Sequence, residues 1–441
     1  MNSSHVNEHL LCDQCEQTAN GIGCAIGALP GVCGKDADVQ SLQETLIYGV
    51  KGLASYAHHA RRLGKTSERV NEFIEEALFS TVTNVNFDLE SLLGLVLECG
   101  TVNLEAMRLL DEGHVETFGK PRPTKVRHGT LAGPGILVTG HDMVDLNHLL
   151  KQVEGTDVMV YTHGEMLPAH MYPAFGDHPN LVGHYGGAWQ KQKSEFAAFP
   201  GPVLATTNCL LIPREQYADR IFHTRVTSVP GGTKLPDDDF SALIAKCREC
   251  QPCQERIEGV STIGFHRSVI LQKAADIVEA VKAGRISRFF VIGGCDGAEP
   301  GRNYFSDYAQ ATPEDSFILT LGCGKFRING YEYGEHLGLP RLMDMGQCND
   351  AYGAIDVALA LAEAFQCGVN DLPLTIVLSW FEQKAVAVLL TLLSLGVKGI
   401  RIGPAAPAFI SPNVMAKLQE AFDLQVIGSD ARADLAEAIG A

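Results

Sequence analysis

Metal-binding residue types follow the predicted β-strands of this chain at the points where the strands end. The apolar run Phe289–Ile292, for example, leads through two glycines into Cys295. A single cysteine in such a place is usually a packing residue, but the arrangement recurs along the chain with cysteine, histidine or glutamate. Seven side chains share it: His141, Glu165, Cys209, Cys295, Cys323, Cys348 and Glu382.

These seven side chains form a ligand set of mixed chemical softness. Four thiolates suit iron–sulfur chemistry, whereas one imidazole and two carboxylates suit an iron that has oxygen or nitrogen ligands and an open position. A zinc site would need only three or four of them. The set therefore predicts a polynuclear iron centre, partly sulfide-bridged and partly oxygen-coordinated, at which a small molecule binds.

A second set of thiols lies near the N-terminus in the spacing C-x2-C-x8-C-x8-C. It consists of Cys12, Cys15, Cys24 and Cys33, and the glycines at 21, 23, 27, 31 and 34 would let the backbone wrap around a cluster. A structural zinc ion is the alternative. Two clusters in one chain suggest an electron-entry relay and a catalytic centre.

The remaining cysteines are interpreted differently. Cys247, Cys250 and Cys253 have the spacing C-x2-C-x2-C, which resembles part of a ferredoxin motif but lacks its fourth cysteine and the following proline. We interpret them as a surface thiol cluster or an adventitious metal site rather than a third cluster. Cys99 and Cys367 are expected to lie in the core.

Periodicity indicates the elements that must position these side chains. Residues 38–117 show a 3.6-residue apolar stripe over three segments, which predicts a three-helix bundle. The proline-rich stretch 119–135 is a natural boundary. Beyond it, apolar strands alternate with amphipathic helices, which predicts an α/β fold with two Rossmann-like domains and mainly parallel sheets. The predicted domains are 1–128, 129–260 and 261–441.

Parallel sheets explain why the strand ends matter. In open parallel sheets, ligands bind beyond the carboxyl ends of the strands. The seven candidate ligands all fall at such ends, and each is expected near a helix N-terminus, where the helix dipole favours negative charge. We therefore expect them to share one site.

Composition narrows the possible partners. The 441-residue chain has a formal net charge of -17, which argues against nucleic acid and anionic membranes as partners. The N-terminal residues lack the pattern of a signal peptide, and the longest apolar run, 385–397, is too short to span a bilayer. We expect a cytoplasmic protein, in which 13 cysteines are metal ligands or redox groups rather than disulfides.

The motifs that carry these residues resemble those of the hybrid cluster protein family, also called prismane proteins or hydroxylamine reductases. The matching stretches are CDQCEQT, TGHDM, VYTHGEMLPAH, TTNC, GGCDG, LGCGKFR, MGQCNDAYGAIDVA, NDLPL and SWFEQKAV. They extend over nearly the whole chain from residue 12, and the single helical bundle matches the short members of the family.

The resemblance implies a cofactor for each ligand set. It implies a hybrid [4Fe–2O–2S] cluster bound by His141, Glu165, Cys209, Cys295, Cys323, Cys348 and Glu382, with a persulfide on Cys295. The opening C-x2-C-x8 of the N-terminal set resembles the four-iron members, which favours a [4Fe–4S] cluster there, with [2Fe–2S] as the alternative.

The implied activity is the reduction of hydroxylamine to ammonia and water, with nitric oxide as a further substrate attributed to the family. Cleavage of the N–O bond needs protons, and His163, Lys384 and the ligand Glu382 are the catalytic candidates by position. No nucleotide-binding motif is present, so electrons are expected from a separate protein. The alternatives are a carbon monoxide dehydrogenase-like enzyme and a non-catalytic redox or nitric oxide sensor that acts on partner proteins.

Overall fold

The computed structural model describes residues 12–18, 23–24 and 31–440. Contacts divide the chain into two compact units. The first unit contains residues 1–111 and 368–429, and the second contains residues 112–367 and 430–441. The three domains predicted from the sequence stay a prediction. No helix in the described part of the chain is both long and apolar enough to cross a membrane.

The α-helices confirm the alternation expected from the sequence. They are α1 (Ala37–Arg62), α2 (Glu68–Ser80), α3 (Leu89–Phe118), α4 (Met143–Val153), α5 (Pro173–Gly176), α6 (Gln192–Ala198), α7 (Glu215–Ala218), α8 (Ser241–Glu249), α9 (Arg267–Ile270), α10 (Ala274–Lys282), α11 (Tyr304–Ala311), α12 (Ala351–Phe365), α13 (Gln383–Ser394), α14 (Pro412–Phe422) and α15 (Ala431–Ile439).

The β-strands lie between these helices. They are β1 (Thr124–Thr130), β2 (Gly135–Thr139), β3 (Met159–His163), β4 (Leu181–His184), β5 (Val203–Ala205), β6 (Ile221–His223), β7 (Thr233–Lys234), β8 (Arg256–Ile263), β9 (Arg288–Gly294), β10 (Ser316–Thr320), β11 (Glu335–His336), β12 (Leu339–Pro340), β13 (Leu342–Asp344), β14 (Leu374–Ser379), β15 (Arg401–Gly403) and β16 (Gln425–Val426).

The first unit combines the three-helix bundle with the C-terminal strands β14, β15 and β16, which pair in parallel. Helix α13 is the apolar stretch that the sequence analysis interpreted as a buried helix, and its side chains are mostly buried. Helix α1 packs closely on it because Gly52 has no side chain. A Cβ atom at Gly52 would lie 2.6 Å from the carbonyl oxygen of Gln383, the first residue of α13.

The second unit contains a large, mostly parallel sheet with the strand order β7-β6-β5-β2-β3-β4-β1-β8. Only its edge pair, β1 with β8, is antiparallel. Strand β1 lies within the stretch 119–135 that the sequence analysis interpreted as a boundary. The same unit holds three further parallel strands in the order β13-β10-β9. Strands β2 and β10 of this unit are buried along their whole length and lead directly to candidate ligands.

Candidate metal centre

Three of the predicted ligands lie together in the second unit. Ligand atoms of His141, Glu165 and Cys348 all lie within 4.8 Å of one another. His141 and Glu165 are buried, with 6% and 3% of their surface exposed, and Cys348 is half-buried. The spacing is short enough for all three side chains to bind one metal ion or neighbouring ions of one cluster.

The register of two parallel strands brings His141 and Glu165 side by side. Thr139, the last residue of β2, pairs with His163, the last residue of β3. Each ligand follows its strand end by two residues, through a glycine with positive φ: Gly140 at +109° and Gly164 at +55°. A Cβ atom at Gly140 would lie 2.4 Å from Oγ1 of Thr206, so the turn leaves no space for a side chain.

Cys348 reaches the same place from a different segment of the chain. It is the first residue of a 3-10 turn, Cys348–Asp350, that leads into α12. Its backbone N–H donates to Oε2 of Glu165 over 3.2 Å. The backbone of one predicted ligand thus holds the carboxylate of another.

Two more predicted ligands, Cys209 and Cys295, each interact with a third, Cys323. The pKa of the Cys323 thiol is raised well above its usual value by a hydrogen bond with Cys209, by burial, and by the charges of Glu165, Cys209 and Cys295. Glu165 also belongs to the first set of ligands, with His141 and Cys348, so its interaction with Cys323 connects the two sets.

The two groups differ from the sequence expectation in one respect. Cys323 and Cys348 begin 3-10 turns and His141 precedes α4, as expected for residues near helix N-termini. Cys209 and Cys295 do not, because the next helices begin only at Glu215 and Tyr304. Cys209 instead adopts a left-handed backbone conformation, with φ of 62°. Those two thiols are therefore positioned by loops rather than by helix ends.

The donor set fits a metal cluster. Metal ligation requires the thiols as thiolates, and the acidic groups around Cys323 oppose the loss of its proton when no cation is near. Positively charged iron would remove that repulsion. The soft thiolates and the harder imidazole and carboxylate together suit an iron centre bound by sulfur as well as by oxygen or nitrogen.

The seventh predicted ligand, Glu382, belongs to the first unit. It is the N-cap residue of α13 and is half-buried. Lys384, one of the catalytic candidates, lies in the first turn of the same helix and is buried, with 3% of its surface exposed. The roles assigned to both residues stay predictions.

His163, the other catalytic candidate, is fully buried and both its ring nitrogens have partners. Nε2 lies 2.9 Å from Oε2 of Glu195, and Nδ1 lies 3.2 Å from Oγ1 of Thr139. The side chain of Glu195 is 18% exposed. The pair therefore connects the end of β3, two residues before Glu165, with a carboxylate that solvent reaches.

Sequence reasoning missed the polar residues that hold the ligands, because it considered only side chains that bind metals. The hydroxyl of Thr207 accepts a hydrogen bond from the backbone N–H of His141 over 2.8 Å and lies 2.9 Å from its Nδ1. Trp189 and Gln190 donate to the carbonyl oxygen of Cys295 over 3.1 and 3.3 Å. The quoted motif TTNC contains Thr207, but spacing alone does not distinguish it from a loop residue.

A buried ion pair lies beside the thiols. Nζ of Lys325 donates to Oδ1 of Asp344 over 2.8 Å and to the carbonyl oxygen of Gly346 over 2.6 Å. Burial alone would lower the pKa of Lys325, but the carboxylates of Asp344 and Glu165 raise it, so the ammonium stays charged. This pair could not be predicted from sequence patterns, because its partners lie in different segments of the chain.

The N-terminal thiols also approach one another within the described segments. The pKa of Cys12 is raised by burial and by the charges of Cys15 and Cys33. Gly23 lies against Cys12, since a Cβ atom there would be 3.1 Å from the Cβ of Cys12. The backbone N–H of Val32 donates to Sγ of Cys24 over 3.3 Å. Gly21 and Gly27, expected to help the backbone wrap, lie outside the described residues.

The third cysteine set is not a surface cluster. Cys247 and Cys253 are buried, with 2% and 3% of their surface exposed, and only Cys250 is half-buried. Helix α8 turns Cys247 towards the start of β2, where its thiol donates to the carbonyl oxygen of Gly135 over 3.4 Å. Burial raises the pKa of Cys247 to about 12 and that of Cys253 to about 11. Cys99 is fully buried as expected, whereas Cys367 is half-buried.

Comparison with known proteins finds relatives that match nearly the whole chain. The model of the Prismane/CO dehydrogenase family matches residues 10–94 and 88–435. A protein named hydroxylamine reductase from Moorella thermoacetica is 55% identical over 98% of this chain and 100% of its own length. One of the same name from Methanothermobacter thermautotrophicus is 45% identical with the same coverage. A third, from Rhodospirillum rubrum, is 52% identical over 94% of this chain and 76% of its own length.

Solved structures show the fold. Carbon monoxide dehydrogenase IV from Carboxydothermus hydrogenoformans superposes with a TM-score of 0.80 over 100% of this chain and 93% of its own, at 14% identity. The enzyme from Thermococcus sp. AM4 gives 0.79 over 98% of this chain and 90% of its own, also at 14% identity. The family resemblance inferred from the motifs is confirmed: the chain belongs to the Prismane/CO dehydrogenase family.

Proposed function

We propose that this protein is an oxidoreductase that reduces hydroxylamine to ammonia and water. The observation that carries the proposal is the gathering of His141, Glu165, Cys348 and the three thiols of Cys209, Cys295 and Cys323 in one unit. Relatives of nearly the same length that are about half identical bear the name hydroxylamine reductase. The reaction consumes two electrons and two protons per hydroxylamine, and it breaks the N–O bond.

Family membership implies that the chain binds iron–sulfur clusters. The finer assignment is part of the proposal. A hybrid [4Fe–2O–2S] cluster would be held by the six gathered residues and by Glu382, with a persulfide on Cys295, and a [4Fe–4S] cluster by Cys12, Cys15, Cys24 and Cys33. When bound, such a centre supplies electrons and an iron with an open position for a small N–O compound. We call this site the hybrid centre.

The residues of the chain contribute position, exclusion of water and protons. Strands β2 and β3 fix the imidazole and one carboxylate in a buried place, where charge interactions are stronger than in water. The contact of His163 with the partly exposed Glu195 offers a route for protons towards the end of β3. Lys384 is the second proposed acid, because its buried side chain belongs to the first turn of α13, two residues after the proposed ligand Glu382.

The partners follow from the same chemistry. The quoted motifs contain no phosphate-binding loop, so we propose that a separate electron-donor protein supplies electrons at the N-terminal thiols. We also propose a cytoplasmic location, because 13 cysteines in one chain suit a reducing compartment. Carbon monoxide oxidation is favoured only by a likeness of fold at 14% identity.

The test is an anaerobic assay on the purified protein. Iron is counted and the clusters are identified by EPR spectroscopy, and then hydroxylamine is added together with a chemically reduced dye. We expect one molecule of ammonia for every two electrons that the reduced dye donates. Full cluster spectra with negligible ammonia would contradict the proposal and favour a non-catalytic sensor. Parallel assays with nitric oxide and carbon monoxide decide whether either gas is the better substrate.

A further inference from the structure

Gln347 occupies the position directly before the ligand Cys348, and no role follows for it from the metal-binding residue types. Its side chain is 1% exposed. The amide nitrogen Nε2 donates to the backbone carbonyl oxygen of Glu165 over 2.7 Å and to that of His141 over 3.3 Å. The side-chain amide of Gln347 therefore contacts the backbone of two ligand residues, and Gln347 itself directly precedes the third, Cys348, in the chain.

The three ligands come from segments that are far apart in sequence. His141 follows β2, Glu165 follows β3, and Cys348 follows β13. Strands β2 and β3 are neighbours in the large sheet, but β13 pairs with β10. The register of the large sheet therefore places two of the ligands and cannot place the third. The amide of Gln347 is a direct link between the segment of Cys348 and the two strand ends.

Gln347 is itself held in place. Its backbone N–H donates to Oδ2 of Asp350 over 2.6 Å. The preceding residue, Gly346, has a φ of +135°, and a Cβ atom there would lie 2.0 Å from the same carboxylate oxygen. The turn is thus shaped so that the glutamine side chain points back towards the two carbonyl groups.

We propose that Gln347 is a positioning residue that sets the distances between the imidazole of His141, the carboxylate of Glu165 and the thiol of Cys348. The inference rests on the hybrid centre of the proposed function. An amide is required because it presents two N–H groups, whereas a carboxylate in its place would face two carbonyl oxygens and be repelled. Replacing a residue that holds metal ligands through hydrogen bonds commonly lowers metal affinity or activity 10- to 100-fold. We expect a loss of iron affinity of about that size here.

The experiment compares Gln347→Met, Gln347→Glu and Gln347→Asn with the wild-type protein, all purified anaerobically. Methionine keeps the length of the side chain and removes both donors. Glutamate adds repulsion, and asparagine keeps the amide but is too short to reach both carbonyl groups. The control is Gln152→Met in the same unit. It also loses a hydrogen bond that the side-chain amide donates to a carbonyl oxygen, here that of Asp238 at 2.8 Å.

Three quantities are measured: iron per chain, the rate at which a chelator removes iron, and the EPR spectrum. We expect the hybrid-centre signal to shift or disappear and its iron to be lost about 10- to 100-fold faster in Gln347→Met and Gln347→Glu. The signal of the N-terminal cluster should stay unchanged and serve as an internal control for folding. Gln152→Met should behave as wild type in all three measurements.

A Gln347→Met protein with wild-type iron retention and a wild-type hybrid-centre spectrum would overturn the inference. If that variant does not fold, as judged by circular dichroism and by loss of the N-terminal signal, Gln347→Asn decides by the same criteria. The outcome is independent of the activity. A wild-type protein that fails to reduce hydroxylamine would refute the proposed function. The effect of replacing Gln347 on iron retention could still be measured in that case.

Discussion

The hydroxyl group of Thr207 contacts His141 twice, through the backbone N–H at 2.8 Å and through ring atom Nδ1 at 2.9 Å. A histidine that binds metal through one ring nitrogen commonly donates the N–H of the other to such an acceptor, which fixes the tautomer and the orientation of the ring. Thr207 occupies that position, so we predict that His141 binds iron through Nε2.

Replacing Thr207 tests this assignment. Thr207→Val keeps the shape of the side chain but removes the hydroxyl, and we expect iron retention at the hybrid centre to fall about 10- to 100-fold. Thr207→Ser keeps the hydroxyl and should stay close to wild type. Iron analysis and EPR spectroscopy of the two variants check the prediction, and equal iron retention in both would show that the hydroxyl does not matter.

Glu382 is the one predicted ligand of the hybrid centre that belongs to the first unit, and its role can be tested by an uncharged replacement. Glu382→Gln keeps the size of the side chain but replaces a carboxylate ligand by a weaker amide, so we expect a changed hybrid-centre spectrum and a large loss of turnover. The matched control is Glu420→Gln, at an exposed position of α14 in the same unit. An unaltered spectrum with full activity in Glu382→Gln would refute the ligand role.

The buried histidine His170 predicts a dependence of stability on pH. Burial lowers its pKa from 6.5 to about 4, so between these values the unfolded chain binds a proton that the folded chain does not. Stability should therefore fall as the pH is lowered through this range, by about 3 kcal/mol from this residue alone.

The measurement for His170 is the midpoint of thermal unfolding at pH 7.5 and pH 5.0, for the wild type and for His170→Gln. Glutamine does not titrate, so the difference between the two pH values should be smaller in the variant. Carboxylates contribute to the pH dependence of both proteins equally. The same pH-induced difference in both would mean that His170 is charged in the folded state or that it ionises without cost.

The cysteines at 247, 250 and 253 should contribute no iron. Two of them are buried thiols whose pKa values burial raises to about 12 and about 11, and Cys247 donates to a backbone carbonyl. We expect Cys250→Ser, the least buried of the three sites, to leave iron per chain and turnover unchanged. A loss of iron in this variant would indicate a third metal site.

The fold class and the positions of the candidate ligands could be predicted because both depend on local patterns. Strands such as β2 and β10 are buried along their whole length, so each appears in the sequence as a continuous apolar run. The residues that follow such strands are then easy to find. Strand β8 was not predicted, because at the sheet edge most of its residues are exposed and carry no apolar pattern.

The polar residues that hydrogen-bond to the ligand residues could not be predicted, because these contacts join distant segments of the chain. Gln347 meets the carbonyl oxygen of Glu165 across 182 residues of sequence, and no spacing rule connects them. The burial of Cys247 and Cys253 was missed for the same reason. Their environment is set by Gly133 and Gly135 at the start of β2, more than 100 residues earlier.

The most direct test of the hybrid centre is crystallography of the anaerobically purified protein, with anomalous diffraction recorded at the iron absorption edge. We expect a group of iron peaks at bonding distance from His141, Glu165 and the thiols of Cys209, Cys323 and Cys348. A protein with full hydroxylamine reductase activity and no iron peak beside these side chains would contradict the account.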